Sequence, residues 1–133
     1  MPILNGLSVL VIDDELDPRE MLQEALGHCG ADVVAVDSAD RARCFLATRT
    51  PDVIVSDISM PDEDGIAFVR SLRALSDGVK SSIPTIALTA FSASSARDLA
   101  MTSGFTVYLV KPVEIWILAQ LIRDMASSAR AAT

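Results

Sequence analysis

The chain has 133 residues, enough for one domain with a full core and too few for a second folded unit of ordinary size. Half of it is hydrophobic but only 5% aromatic, so the core must be built mainly from Val, Ile, Leu, Ala and Met. A formal net charge of −7 with no basic cluster argues against direct nucleic-acid binding, which depends on Lys and Arg, and fits simple solubility.

No apolar run approaches the length of a membrane span, and no charged-then-apolar secretory start is present. A cytoplasmic location is therefore expected, without membrane contact by this unit, either alone or as the cytoplasmic part of a larger membrane-bound protein. Cys29 and Cys44 have no Cys or His at metal-ligand spacing, and His28 is the only histidine. A zinc site, or a phosphohistidine relay within the chain itself, has no support. The cysteines are expected in helices or core in a reducing compartment.

In chain order, the first apolar run is Leu7–Ile12, a predicted strand. It leads to a helix with Met21, Leu22, Ala25, Leu26 and Cys29 on one face, capped by Asp17 with Pro18 at its first position and stopped by Gly30. A second strand is predicted over Asp32–Val36, and a second helix from Ser38 that buries Ala42, Phe45 and Leu46; Pro51 marks the turn that follows. The third strand, Asp52–Ser56, precedes a helix after Gly65 with Ile66, Val69, Leu72 and Leu75 inward. Thr85–Thr89 is the fourth strand, with Ser92 capping the fourth helix. Thr106–Val110 is the fifth, with Pro112 opening a helix that buries Ile115, Leu118, Leu121 and Ile122.

The strand runs are nearly continuous rather than alternating, as strands buried on both faces should be. Five repeats of strand then helix specify a single doubly wound α/β domain, a five-stranded parallel sheet with helices on both faces. The domain is expected over residues 7–126. Residues 1–6 and 127–133 are expected as flanks, the latter as a tail or linker. Ser76–Ser82 is the longest polar connection. Ligands of such sheets bind at the C-terminal ends of the strands.

Chemistry-bearing residues collect at those ends. Asp13, Asp14 and Glu15 follow the first strand and Asp57 the third. If those strands are neighbours, Asp13, Asp14 and Asp57 converge. With Asp17 assigned to capping, two further acids crowd together at a cost unless a cation shares the site, and oxygen-only ligands suit Mg²⁺. Solvated loop carboxylates remain the alternative. Thr89 ends the fourth strand and Lys111 follows the fifth, adding a hydroxyl and an ammonium. Together these are equipment for phosphoryl transfer to a carboxylate.

The segments Val9–Leu10–Val11–Ile12–Asp13–Asp14–Glu15, Ser56–Asp57–Ile58–Ser59–Met60–Pro61–Asp62–Glu63–Asp64–Gly65, Leu88–Thr89–Ala90 and Tyr108–Leu109–Val110–Lys111–Pro112 resemble, in order, the motifs of response-regulator receiver domains. The resemblance covers about Leu7 to Ala126 and implies the flavodoxin-like fold with strand order 2-1-3-4-5. It implies that Asp57 is the phosphoacceptor of a two-component phosphorelay, charged from a phosphohistidine of a histidine kinase or a histidine phosphotransfer protein. Mg²⁺, with Mn²⁺ as a substitute, would be held by Asp14 and Asp57 directly, by Asp13 largely through water, and by the main-chain carbonyl of Ser59. Lys111 would hold a phosphoryl oxygen, and the Lys111–Pro112 bond would be cis. Thr89 would swing its hydroxyl to the phosphoryl group and Tyr108 would follow it inward.

The surface expected to respond is the fourth helix, fifth strand and fifth helix, which is also where a dimer would form. The Ala- and Ser-rich fourth helix is expected to be marginally stable. Ser59 and Phe91 offer no acid or amide to orient water, so self-dephosphorylation is expected to be slow. Leu4–Asn5–Gly6–Leu7 and Thr89–Ala90–Phe91 are similar to receivers of hybrid histidine kinases, whereas a free-standing regulator fits the same motifs.

Other readings fare worse. Haloacid-dehalogenase-type phosphatases place two acids at alternate positions after the first strand, but Asp13 and Asp14 are adjacent. An EF-hand loop with Gly65 sixth needs an acid at Met60 and a Glu at Ser71. No phosphate-cradling loop of nucleotide hydrolases occurs. A receiver fold kept only for protein interaction would not require all of the principal positions, and all are present. With the order 2-1-3-4-5, Cys29 and Cys44 lie on opposite faces and should not pair.

Overall fold

The computed structural model describes residues 2–60 and 63–131, with side chains described as far as residue 129. Pro61 and Asp62 of the third-strand motif lie outside the described residues. Five strands form one sheet in the order β2-β1-β3-β4-β5: β1 Ser8–Ile12, β2 Asp32–Val36, β3 Val53–Ser56, β4 Thr85–Thr89 and β5 Val107–Val110. All neighbouring pairs are parallel. The helices are α1 Leu16–His28, α2 Ala39–Leu46, α3 Gly65–Arg73, α4 Ser94–Ser103 and α5 Ile115–Ala131, with a 3-10 turn at Lys80–Ser82 in the polar connection before β4. The expected doubly wound sheet is the one observed.

Alternation along the central strands sorts the core into two layers. Val9 and Val11 of β1 pack with Val53, Val55, Ile86 and Leu88 against Leu22 and Leu26 of α1 and Leu118, Ile122 and Ala126 of α5. Leu10 and Ile12 point the other way, with Ile54, onto Ala42 and Leu46 of α2 and Phe68 and Leu72 of α3. A third cluster joins Ile66 and Val69 of α3 to Ala100 of α4, Phe105 and Tyr108. Truncating a fully buried member such as Leu118 to Ala would cost about 2–5 kcal/mol. The helices α1 and α2 lie on opposite faces, and Cys29 and Cys44 are both free thiols.

Several helix starts differ from expectation. The residue before α1 is Glu15, not Asp17, and Pro18 falls at the third helical position. That is tolerated because the first four N–H groups of a helix have no intrahelical partner. Ser92 does not cap α4; the cap position is Ala93, which has no side-chain acceptor. Pro112 stands ahead of α5 rather than opening it, and the Glu114 carbonyl takes the first helical N–H bonds, from Ile117 and Leu118. Ser38 does cap α2, accepting from the Arg41 N–H at 3.2 Å.

The inward faces are narrower than expected. Met21 is 65% exposed beside the buried Leu22 and Leu26, and Leu75, beyond the end of α3, is 44% exposed. At the ends, structure extends past 7 and 126. Leu4 is fully buried and its N–H donates to the Cys29 carbonyl at 2.8 Å. Helix α5 continues through Ala131, so the stretch from Ser127, expected as a tail, is helical that far.

Candidate phosphoacceptor site at the C-terminal edge of the sheet

Strand register brings the acids together. Ile12 pairs with Ser56, so Asp13 and Asp57 leave β1 and β3 side by side, and the Asp57 N–H donates to the Ile12 carbonyl at 2.9 Å. Oxygens of Asp13, Asp14 and Asp57 lie within 4.8 Å of one another. On the far side, Thr89 pairs with Val110, and the Lys111 N–H donates to the Thr89 carbonyl at 2.7 Å. Lys111 Nζ reaches 3.5 Å from Asp13 Oδ2 and 3.8 Å from Asp57 Oδ2. Two of the three carboxylates, Asp13 and Asp57, thus face one ammonium.

Asp13 is almost wholly buried, with Oδ1 accepting the Glu15 N–H at 3.0 Å. It therefore has a share in starting α1, contrary to the assignment of that duty to Asp17. Its carbonyl accepts from Arg19 Nη1 at 3.0 Å. Asp57 turns Oδ1 to the main chain, 2.7 Å from the Ile58 N–H and 3.4 Å from that of Ser59. Burial holds its carboxyl above the ordinary value; Lys111 pulls it down, nearby Asp13 pushes it up, and the two N–H donors lower it.

Asp14 Oδ1 is buried with no hydrogen-bond partner among the described residues. A buried carboxylate oxygen without a donor is costly, and beside two further acids it fits a cation that would complete it. The donors are all oxygens, which suits a hard divalent ion such as Mg²⁺ and not zinc.

Thr89 is fully buried, and its Oγ1 accepts the Phe91 N–H at 3.2 Å. Tyr108 is buried too, with its hydroxyl donating to the Phe91 carbonyl. The Phe91 main chain is therefore gripped from both sides by Thr89 and Tyr108. Its side chain is 52% exposed. Nothing in the residue type of Phe91 announces that link, because it is made by the backbone. Ser59 is exposed, and the Lys111–Pro112 bond is cis. The approach of Gly65 to Asp57 was also not foreseen: a Cβ there would stand 2.4 Å from the Asp57 carbonyl oxygen.

A doubly wound parallel sheet with three acids, a hydroxyl and a lysine gathered at its C-terminal edge is the arrangement of a receiver-type regulatory domain. The response regulator receiver domain family model matches residues 9–123, and the chain belongs to that family of two-component signalling domains. It is 37% identical over 124 residues, 93% of each chain, to a 14.6 kDa protein of the sodA1 3′ region of Leptolyngbya boryana. It is 37% identical over 116 residues to the KDP operon transcriptional regulatory protein KdpE of Escherichia coli, covering 87% of this chain but 49% of KdpE. It thus spans about half the length of that regulator. The signal receiver domain of a signal transduction histidine kinase from Syntrophus aciditrophicus superposes with a TM-score of 0.84 at 28% identity, covering 92% of both chains.

Proposed function

We propose that this chain accepts a phosphoryl group on Asp57 from a phosphohistidine of a histidine kinase or phosphotransfer protein, in a Mg²⁺-dependent reaction. The observation that carries this reading is the convergence of Asp13, Asp14 and Asp57 with Lys111, including the partnerless Asp14 Oδ1.

Asp57 Oδ1 is engaged by main-chain N–H groups, so Oδ2 is the oxygen left to attack phosphorus. The new O–P bond forms as the donor's P–N bond breaks, and the imidazole leaves with its electron pair and takes up a proton. Mg²⁺, or Mn²⁺ in its place, would be held by Asp14, Asp57, the Ser59 carbonyl and, through water, Asp13, and would supply the charge that offsets the carboxylates against an incoming anion. Lys111 holds a phosphoryl oxygen as a point charge. Thr89 then releases the Phe91 N–H to bring its hydroxyl to the phosphoryl group. Because Tyr108 holds the same Phe91, the rearrangement passes to β5 and the flanking helices. The acceptor chemistry is regulatory, with intrinsic self-phosphorylation and dephosphorylation.

The responding surface is α4, β5 and α5. Leu99, Met101, Val110, Trp116 and Ile117 are exposed there, which suits a dimer or a downstream protein. The signalling unit is assigned to residues 7–126 with flanks on either side, and to the cytoplasm. No described helix is long and apolar enough to cross a membrane.

The test is labelling by acetyl phosphate, read by intact mass, on the wild type and Asp57→Asn. A phosphate-sized gain that needs Mg²⁺ and is absent in the variant is the expected result. A folded wild type that neither labels nor binds beryllofluoride with Mg²⁺ would leave a receiver fold used only for protein contact.

A further inference from the structure

We infer that Arg43, on α2, is a positioning residue for the divalent cation: its paired hydrogen bonds to Glu63 hold the β3–α3 connection in the shape that presents the Ser59 carbonyl. This rests on the metal-dependent reading above and extends it to a residue outside the acidic site.

Among its described residues, the connection is held at few points. Its neck is closed by the Gly65 N–H on the Ile58 carbonyl at 2.8 Å, and Asp64 beyond it caps α3 through the Ala67 N–H at 2.8 Å. Inside the neck, Ser59 is exposed and its N–H lies a long 3.4 Å from Asp57 Oδ1. Met60 is only partly buried against the α2–α3 core. Among the described residues, local bonds therefore leave the Ser59 peptide loosely fixed, and a further anchor of its connection bears on its placement.

That anchor is Glu63. Arg43 Nη1 donates to Glu63 Oε1 at 2.6 Å while Nη2 donates to Oε2, a fork-to-fork pair. The guanidinium is itself fixed: Nη2 donates to Ser71 Oγ at 2.9 Å, Nη1 to Asp40 Oδ1 at 3.3 Å, and the group lies 5.6 Å from the Phe68 ring centre. Ser71 in turn donates to the Phe68 carbonyl at 2.7 Å. Arg43 thus transfers the rigidity of the packed α2–α3 face to the loop. The pair is only partly exposed, 38% and 29% for the two side chains, unlike the Arg49–Asp32 pair at 49% and 69%.

Two explanations give opposite signs. If these charges act only through space, removing the Arg43 cation strengthens Mg²⁺ binding and removing the Glu63 anion weakens it. Positioning predicts weakening in both. The experiment is a Mg²⁺ titration followed by the Ile58 and Ser59 amide resonances, on the wild type, Arg43→Met, Glu63→Gln, the double variant, Arg43→Lys and Arg49→Met. Arg43→Met keeps a side chain over Phe68, and Arg43→Lys, which keeps the charge but not the fork and so weakens binding only if Arg43 positions the connection, keeps the test available should Arg43→Met fold poorly.

Each single variant should raise the Mg²⁺ dissociation constant about tenfold, the scale seen for groups that orient ligands from behind. The double variant should be no weaker than the worse single, since both remove one interaction. Acetyl phosphate labelling at saturating Mg²⁺ should stay within about twofold of wild type, and Arg49→Met should bind Mg²⁺ like the wild type. Unchanged or tighter binding in Arg43→Met with a folded protein overturns the inference, as does a double variant whose loss is the product of the singles. A wild type that binds no Mg²⁺ removes the underlying reading instead, and is seen before any variant is made.

Discussion

Gly65 and Asp57 are in main-chain contact across the mouth of the β3–α3 connection: any Cβ on Gly65 would meet the Asp57 carbonyl oxygen at 2.4 Å and the Ile58 Cα at 3.0 Å. Because Gly65 is the first residue of α3, helix propensity alone favours Ala there by about 1 kcal/mol. Backbone cannot yield as a flexible side chain does. Gly65→Ala should therefore destabilise the fold by about 1–3 kcal/mol in urea denaturation. A variant as stable as the wild type would show that the close approach is dispensable.

The charge on Asp57 should be a liability in the metal-free protein. Burial, aided by Asp13 and opposed by Lys111, raises its carboxyl in the folded state. Between the unfolded carboxyl value, about 4, and the raised folded value, the folded state binds the extra proton. Stability contributed by that proton is present at low pH and is lost as pH rises through the folded value. Asp57→Asn should flatten this part of the profile and be more stable at pH 7 by about 1 kcal/mol. Adding Mg²⁺ should raise the melting midpoint of the wild type and not that of the variant. Denaturation series at several pH values, with and without the ion, check both statements; a steeper profile in the variant would refute the first.

Arg73 is a second test of the fold, remote from the acids. Its guanidinium donates to the carbonyls of Gly104, Ser81 and Ile83 and to Thr85 Oγ1, at 2.7–3.0 Å. Burial lowers its pKa, and no carboxylate balances it among the described contacts. Arg73→Met should cost about 2–4 kcal/mol, because four acceptors lose their donor at once. Gly104, at φ +125°, has its missing Cβ 2.7 Å from Arg73 Cγ. Gly104→Ala should thus be less damaging in an Arg73→Ala background, which lacks that Cγ, than alone, which a double-mutant cycle in urea would detect.

Helix α4 should open far more readily than the central strands. Only Ala100 and Ser103 of its residues are buried, and no side chain caps its start. Amide exchange across Ser94–Ser103 should be at least tenfold faster than in β1 and β3, and should change on phosphorylation. Protection equal to that of the strands, unaltered by phosphorylation, would count against α4 as the moving element.

The acyl phosphate should last for minutes or longer. Neither Ser59 nor Phe91 supplies a group to activate water, and the Phe91 main chain is held by Thr89 and Tyr108. A lifetime of seconds, measured by loss of the added mass after donor removal, would refute this.

The sheet and the acidic cluster were legible in the sequence because they depend on strong, local signals. Buried strands are written as continuous Val, Ile and Leu runs, and parallel register then carries their following residues to one edge, as Ile12 opposite Ser56 does for Asp13 and Asp57. Helix starts were less legible. Asp17, Ser92 and Pro112 all carry start signals, yet the chain geometry placed Glu15 and Ala93 at the caps and set α5 three residues beyond Pro112. The ties of Arg43 to Glu63 and of Arg73 to Gly104 join residues 20 and 31 apart with no periodic trace. Contacts made by the Phe91 and Gly65 backbones have no side-chain signature at all.

The buried Leu4 gives the front of the chain a fixed heading. Its N–H is tied to Cys29, and Gly30, at φ +100°, leaves room for Pro2 and Asn5 where a Cβ would meet Pro2 Cβ at 2.7 Å. The stretch from Pro2 to Leu4 is therefore laid against the end of α1 and Gly30 as part of the packed domain. Any side chain at Gly30 would crowd Pro2 and the Asn5 backbone and so loosen the hold on the front of the chain.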